Sequence, residues 1–237
     1  KEQASLYQSV LEEMKQGLEK GGEKERQGLV LATLTKLKQI CNHPVQFLRD
    51  NSPLENRSGK LRRLVDLLEE IQEAREYCLI FTQYREMGEM LQSWLQQYFA
   101  REIFLLHGGV PRKKRDEMVD IFQNSPEAPQ IFILSLKAGG TGLTLTRANH
   151  VIHYDRWWNP AVENQATDRA FRIGQKKNVQ VHTFLVPGTL EERIEILLER
   201  KRNLAEKIVG TDNLWLGNLS DRELQDLLRL DPEALEE

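Results

Sequence analysis

Cysteine and long apolar runs are scarce in this 237-residue chain, and two phosphate-handling patterns are missing from it. Two cysteines rule out a disulfide framework as the basis of the fold. No apolar run approaches the roughly 20 residues that a membrane-spanning helix needs. The pattern Gly-x-x-x-x-Gly-Lys-Ser/Thr does not occur, and no Asp-Glu box follows a strand pattern where it could hold Mg²⁺. The chain alone therefore has no recognisable cradle for a nucleoside triphosphate.

The composition is that of a soluble domain with a substantial core. Hydrophobic residues make up 40% of the chain, enough for one large domain with helical appendages. We expect Cys41 and Cys78 to be reduced, buried thiols in a cytoplasmic protein. His43 lies next to Cys41 in the sequence, but two potential ligands without a second pair do not make a zinc site, so no metal site is expected.

Charge is distributed unevenly along the chain, although the net charge is only −3. Residues 131–177 contain seven basic and three acidic residues, whereas residues 186–237 contain seven basic and thirteen acidic ones. A further basic cluster, Arg112–Arg115, stands at a predicted helix start. This segregation is typical of a surface that faces phosphates, combined with an acidic tail. For residues 112–115, an ordinary solvated helix face is an equally good interpretation.

Short apolar segments alternate with helical patterns from residue 78 onward, which predicts a mainly parallel sheet covered on both faces. The predicted strands are 78–82, 103–107, 131–135, 151–154 and 180–186. The predicted helices are 61–74, 84–99, 111–122, a short one around Leu143, and 160–172. Two helical segments within residues 1–50 precede them, and a long helix capped by Thr189 follows. Ligands of parallel sheets meet the carboxyl ends of strands, and polar or glycine-rich residues stand at four such ends.

The segment from Gln165 to Gln175 carries an ordered polar stripe. Asn159-Pro160 supplies a helix start, and Gln165, Arg169 and Arg172 then fall on one helix face. Two planar guanidinium forks one turn apart suit a polyphosphate that gains negative charge in a transition state. The alternative is a solvated helix with ordinary pairs such as Asp168 with Arg172. A neighbouring apolar stripe, predicted to pack inward, consists of Val162, Ala166, Ala170 and Ile173.

Two further features stand near this segment. Residues 139–142 hold three glycines in four positions directly after a predicted strand, a pattern whose backbone N–H groups can cup a phosphate. Any sharp strand-to-helix turn could require the same glycines. Trp157 and Trp158 lie between a strand end and a helix start, where one core anchor and one partly exposed ring are the ordinary interpretation.

Several blocks resemble helicase motifs, in order and with natural spacing. The strongest are Leu134–Leu143 (LSLKAGGTGL), Asp155–Pro160 (DRWWNP) and Gln165–Gln175 (QATDRAFRIGQ), which resemble motif V, the block after it, and motif VI. Ile80–Gln83, Leu106–Gly109, Leu37–Pro44 and Ser58–Leu61 resemble further blocks. The chain is thereby identified as similar to the second RecA-like motor lobe of the SWI/SNF-type double-stranded DNA translocases, in helicase superfamily two. Its tail resembles that of bacterial and archaeal members.

The resemblance implies a composite ATP site and a DNA-binding edge. The residues matching nucleotide-facing positions are Arg169 and Arg172, as catalytic arginine fingers, and Gly140, Gly142, Gln165 and Asp168, as ATP-binding residues. The residues matching DNA-facing positions are Thr82, Gln83, Gly108, Ser135, Lys137 and Trp157. Lys137 and Thr144 stand where other members often carry arginine and asparagine, so the chain departs from the family pattern at these positions near the predicted DNA contacts.

The implied organisation has three parts and a missing partner. Residues 1–57 are expected to be a helical entry segment and linker, residues 58–188 the RecA-like lobe, and residues 189–237 a brace helix with an acidic tail. ATP with Mg²⁺ would be bound mainly by a first lobe of the same protein, and the fragment alone should be inactive. Duplex DNA is the expected partner, without a membrane and in the cytoplasm at the nucleoid. A strand-separating helicase lobe and a non-catalytic docking module remain alternatives.

Overall fold

The computed structural model describes residues 1–19, 23–135, 143–203 and 220–231. The helices are α1 (Glu2–Leu18), α2 (Glu23–Asn42), α3 (Pro44–Leu48), α4 (Gly59–Glu73), α5 (Arg85–Phe99), α6 (Arg112–Asn124), α7 (Pro160–Thr167), α8 (Leu190–Asn203) and α9 (Asp221–Leu228). The strands are β1 (Cys78–Thr82), β2 (Phe104–Leu106), β3 (Ile131–Ser135), β4 (His150–His153) and β5 (Gln180–Thr183).

The five strands form one parallel sheet in the order β2-β3-β1-β4-β5. The central strand β1 pairs with β3 on one side and β4 on the other. All residues of β1 to β4 are buried, because crossover helices cover both faces of a parallel sheet. The predicted α/β fold, a RecA-like lobe with a mainly parallel sheet, is confirmed.

The chain divides into two compact units. Residues 62–184 form the unit with the sheet, which has an apolar cluster that includes Phe81, Phe122 and Phe132. Residues 1–61 and 185–237 form the second unit, in which the described residues are largely helical. In that second unit the buried hydroxyl of Tyr7 donates to the carbonyl of Leu228 and accepts from the N–H of Leu190. The three-part division at residues 57/58 and 188/189 stays a prediction.

Two predicted helices differ from the structure. The helix predicted to run to Arg172 ends at Thr167. Beyond it the backbone makes turns, and the carbonyl of Arg169 accepts from the N–H of Leu145 instead of continuing the helical ladder. Consequently Ala166 and Ala170 are buried as predicted, whereas Ile173 is 104% exposed and the prediction that it packs inward is wrong.

The short helix predicted around Leu143 is absent from residues 143–149, the part of it that the structure describes. Leu145 and Ala148 are fully buried there, and one turn joins them through the bond from the Ala148 N–H to the Leu145 carbonyl. The bond from the Leu145 N–H to the Arg169 carbonyl, 2.9 Å long, pairs this segment with the turns after α7. A tertiary backbone contact thus replaces the local helix.

Candidate nucleotide and nucleic-acid site

The carboxyl ends of β1, β3 and β4 lie side by side, as the alternating pattern predicted. Thr82 pairs with Ser135 in the register of β1 and β3, and Phe81 pairs with His153 in that of β1 and β4. The segments that leave these strands therefore emerge at one edge of the sheet. Leu106, the last residue of β2, pairs with Leu134 of β3, so the segment after β2 emerges there too. We call this edge the working edge: residues 82–85, 107–110 and 153–159.

Asp155 organises the working edge, and sequence reasoning assigned it no role. Its side chain is fully buried and accepts a 2.5 Å hydrogen bond from the hydroxyl of Thr82. It also accepts the backbone N–H of Gln83 at 3.0 and 3.1 Å through its two oxygens. A buried carboxylate needs such compensation, because its desolvation is otherwise costly. Asp155 thus ties the end of β1 to the segment that follows β4.

This arrangement changes what the predicted DNA-facing residues can do. Thr82 is 0% exposed and its hydroxyl donates to Asp155, so its side chain offers no surface to a phosphate in this structure, and its predicted contact with DNA stays a prediction. Ser135 is likewise buried and offers no surface to a ligand. Gln83 is half-buried and donates through its side chain to the carbonyl of Arg156, whereas Gly108 is exposed.

Trp157 is half-buried, with its backbone N–H held by the carboxylate of Glu163 at 3.0 Å. Its indole N–H is buried and meets no acceptor within the part of the chain that the structure describes. Three predicted site residues, Lys137, Gly140 and Gly142, lie outside the described residues.

The two predicted catalytic arginines lie on the turns after α7, which we call the arginine turn (residues 168–175). Hydrogen bonds join this turn to the segment that precedes β4 and also close it internally. The Arg169 carbonyl accepts from Leu145, and the side chain of Gln175 donates to the carbonyls of Ala148 and Ala170, at 2.8 and 3.2 Å. Gly174 has a φ of +106°, a conformation that favours glycine.

The arginines differ in their surroundings. Arg169 is only 5% exposed, and burial, with a smaller contribution from the charge of Arg172, lowers the pKa of its guanidinium. Arg172 is exposed; its Nε donates to the backbone carbonyl of Asp168 at 3.0 Å, and its Nη1 contacts the Thr144 hydroxyl at 3.4 Å. Arg172 thus contacts the backbone of Asp168, whereas the alternative of a solvated helix with ordinary ion pairs requires a contact with its side chain. Gln165 and Asp168 are exposed beside it.

Several basic side chains of residues 131–177 are bonded to other groups of the protein. Arg147 donates to the carbonyls of Phe122 and Ser125 and to the hydroxyl of Tyr77. Lys177 pairs with Glu76, and Arg156 forms a buried pair with Glu163. Among the described residues of this segment the exposed cations are Arg172, Lys176 and Lys177, fewer than the sequence count suggests.

His153, at the end of β4, is 1% exposed and stacks on Phe81 with a ring separation of 5.7 Å. Its Nε2 lies 3.0 Å from the hydroxyl of Thr167, the last residue of α7. Burial, with a smaller contribution from the charge of Arg156, lowers the pKa of His153 to about 4. The ring is therefore neutral at neutral pH.

Because the pKa of His153 is 6.5 when unperturbed and about 4 in the fold, the unfolded chain binds a proton here between these values and the folded chain does not. The free energy of unfolding should therefore fall by about 3 kcal/mol as pH drops through this window. Urea titrations from pH 7.5 to pH 4.5 measure the slope. His153→Leu should flatten it, leaving the smaller dependence from His43 and His182, whose pKa values burial also lowers. An unchanged slope in the variant contradicts the assignment.

The described parts of the chain offer neither a metal site nor a membrane span. No group of three or more His, Cys, Asp or Glu residues there could hold a metal ion. No helix within those ranges is both long and apolar enough to cross a bilayer. Cys41 and Cys78 are free, buried thiols, and burial raises the pKa of each.

Comparison with known proteins places this geometry in a family. Residues 59–174 match the model of the helicase conserved C-terminal domain. The chain is 47% identical over 235 residues to YwqA of Bacillus subtilis, whose name describes an ATP-dependent helicase/translocase; this covers 98% of the chain and 25% of that protein. The chain spans a quarter or less of the length of the first curated relatives that it matches.

Two solved structures from Sulfolobus solfataricus match nearly the whole chain. The SWI2/SNF2 ATPase core in complex with dsDNA is 40% identical with a TM-score of 0.87, over 97% of this chain and 48% of that one. The C-terminal domain of the SWI2/SNF2 ATPase is 37% identical with a TM-score of 0.83, over 97% and 94% respectively. On this evidence the chain belongs to the SWI2/SNF2 family of helicase-type ATPases and corresponds to their C-terminal domain.

Proposed function

We propose that this chain is the second motor lobe of an ATP-dependent translocase on double-stranded DNA. It contributes Arg169 and Arg172 to an ATP site whose phosphate cradle and Mg²⁺ belong to a first RecA-like lobe. The observation that carries the proposal is the arginine turn, a hydrogen-bonded backbone segment that holds the exposed Arg172 three residues after the buried Arg169. A module that only docks on DNA or protein gains nothing from this pair, and hydrolysis does.

The proposed role of the arginines in ATP hydrolysis follows from where negative charge develops on the nucleotide. In phosphoryl transfer the γ-phosphate oxygens gain negative charge at the transition state, and guanidinium groups placed in advance stabilise it. Arg172 is exposed and oriented by the Asp168 carbonyl, which suits a ligand delivered by another lobe. Arg169 is buried beside it and sets the local positive potential. Gln165 and Asp168 would position the pair, and Gly140 and Gly142 would lie near the phosphates.

The DNA-binding role rests on the working edge. Gln83, Gly108 and Trp157 are at least partly accessible at strand ends, and Lys137 adds a cation in the sequence between β3 and Thr144. The related archaeal core was solved with dsDNA, which supports duplex DNA as the partner of this chain. Contacts to the phosphate backbone carry no sequence information, so binding should tolerate sequence and weaken steeply with salt.

A complementation experiment tests the proposal. The isolated chain has no phosphate loop, so it should show no DNA-stimulated ATP hydrolysis above background, and adding a separately produced first lobe should restore part of it. The Arg172→Ala chain is the matched control and should restore none. Robust turnover by the isolated chain overturns the composite-site idea.

The motor itself is tested in the two-lobe enzyme. It should displace a third strand from triplex DNA without separating the duplex. Strand separation would instead favour the helicase alternative, and no ATP-dependent movement would favour a docking module.

A further inference from the structure

Helix α7 is short, and buried side chains tie both of its ends to the segment around the end of β4. Its eight residues begin after Asn159, whose side chain accepts the N–H of Ala161 at 2.9 Å. Its last residue, Thr167, directly precedes the arginine turn. An eight-residue helix is marginal on its own, so tertiary contacts must hold it in place.

Glu163 makes the tie in the first turn of α7. It is buried, one of its oxygens accepts from Nη1 of Arg156, and the other accepts the backbone N–H of Trp157 at 3.0 Å. Because Arg156 is buried as well, both charges are removed from water and are matched to each other. This end of the helix is therefore fixed by charge-assisted bonds.

His153 makes the tie at the other end. It reaches from the last position of β4 to the Thr167 hydroxyl, and its stacking on Phe81 restricts the ring. A neutral, buried imidazole bonded to a hydroxyl carries no net charge that could serve hydrolysis directly. His153 can therefore influence ATP hydrolysis only through the position of Thr167.

Thr167 is the point at which the arginine turn begins. Its carbonyl accepts from the N–H of Ala170 at 3.0 Å and from that of Phe171 at 3.1 Å. The start of the arginine turn is therefore bonded to this peptide group, while the hydroxyl of the same residue is bonded to His153 at the end of β4. A rotation of Thr167 would displace the start of the turn.

We propose that His153 and Thr167 are a positioning pair that sets the place of Arg169 and Arg172 relative to the sheet. This rests on the proposed role of those arginines. Neither residue of the pair is proposed to contact the nucleotide. Each acts by fixing the Thr167 peptide group, to which the start of the arginine turn is hydrogen-bonded. Catalysis by placed charges is sensitive to displacement, since an error near 1 Å costs on the order of 10²-fold in rate.

The test uses the two-lobe enzyme and the half-buried Thr167, where isosteric changes are tolerated better than at the core histidine. Thr167→Val removes the hydroxyl and keeps the shape, and Thr167→Ser keeps the hydroxyl. We expect Thr167→Val to lower kcat for DNA-stimulated ATP hydrolysis by about two- to tenfold, the worth of one net hydrogen bond. The KM for ATP should stay within about twofold, and Thr167→Ser should retain most of the rate. His153→Leu combined with Thr167→Val should cost no more rate than the larger single loss, because both remove the same bond.

The outcomes separate this inference from the proposed function. If Arg172→Ala leaves kcat unchanged in the same assay, the arginine role itself fails. If Arg172→Ala lowers kcat while Thr167→Val does not, the arginines act and the positioning pair is refuted. Equal losses in Thr167→Val and Thr167→Ser, or a lower melting temperature with unchanged kcat per folded molecule, assign the pair to packing alone and also overturn the inference.

Discussion

Replacing Arg172 by alanine in the two-lobe enzyme should lower kcat for ATP hydrolysis by about 10³-fold or more while changing ATP binding little. An arginine finger acts on charge that appears only in the transition state, so its loss affects turnover rather than ground-state affinity. Single-turnover hydrolysis and binding of a labelled ATP analogue measure the two quantities separately. Because Arg172 is exposed, its truncation leaves no buried group unpaired, and the folded fraction should be unaffected.

Lys176→Ala is the matched control, since it removes an exposed cation four residues further along and should leave kcat near that of the wild type. Arg169→Ala should also lower kcat, but Arg169 is 5% exposed and its removal leaves a cavity, so its loss of rate mixes placement with stability. If Arg172→Ala keeps kcat within a few-fold of wild type, both arginines are structural and the composite site must be abandoned.

The strands were predictable because their chemistry is local. Cys78–Thr82 and Ile131–Ser135 are uninterrupted apolar segments, and a strand buried on both faces requires that pattern, so both were predicted with correct ends. The adjacency of their carboxyl ends then followed from the parallel fold. The working edge could be located in this way without any side-chain contact being known.

The C-terminal end of α7 was not predictable, since a tertiary bond decides it. The spacing of Gln165, Arg169 and Arg172 satisfies a helix, and no residue before Gly174 breaks one. The carbonyl of Arg169, however, accepts from Leu145, twenty-four residues earlier in the sequence, and that contact is invisible to periodicity. The prediction of two arginines presented to one ligand depends on the turn that replaces the helix.

Side-chain contacts at the working edge were not predictable for the same reason. Thr82 stands at a strand end, as a phosphate-binding threonine would, yet its hydroxyl is taken by Asp155, seventy-three residues away. Asp155 itself resembled part of a motif and carried no signal of its function as a clamp. Lys60 and Glu191, which are 131 residues apart, form a buried pair in the helical unit that nothing in the sequence indicated.

That pair leads to the largest stability effect expected in this chain. Lys60 and Glu191 are 2% and 0% exposed at the side chain, and their charged atoms are 2.7 Å apart. Lys60 also contacts the side-chain carbonyl of Asn42, and Glu191 accepts the N–H of Val186 at 3.0 Å. Lys60→Met leaves the Glu191 carboxylate buried without its counter-charge, which should lower the free energy of unfolding by about 3–5 kcal/mol. Urea denaturation at pH 7 measures this loss.

The double variant Lys60→Met/Glu191→Leu separates two quantities. One is the free-energy cost of leaving Glu191 buried without a counter-charge, and the other is the net contribution of the ion pair to stability. Removing both charges and filling the space with apolar side chains should recover most of the stability that Lys60→Met loses, since desolvation offsets much of what a buried ion pair contributes. Lys36→Met is the matched control: it breaks the exposed pair with Glu13 and should change the free energy of unfolding by about 0–1 kcal/mol. If Lys60→Met is as mild as Lys36→Met, water reaches Glu191 after the substitution and the pair is not a buried element of the helical unit. If the double variant is no more stable than Lys60→Met, the charges themselves stabilise that unit, and their geometry outweighs the cost of burying them.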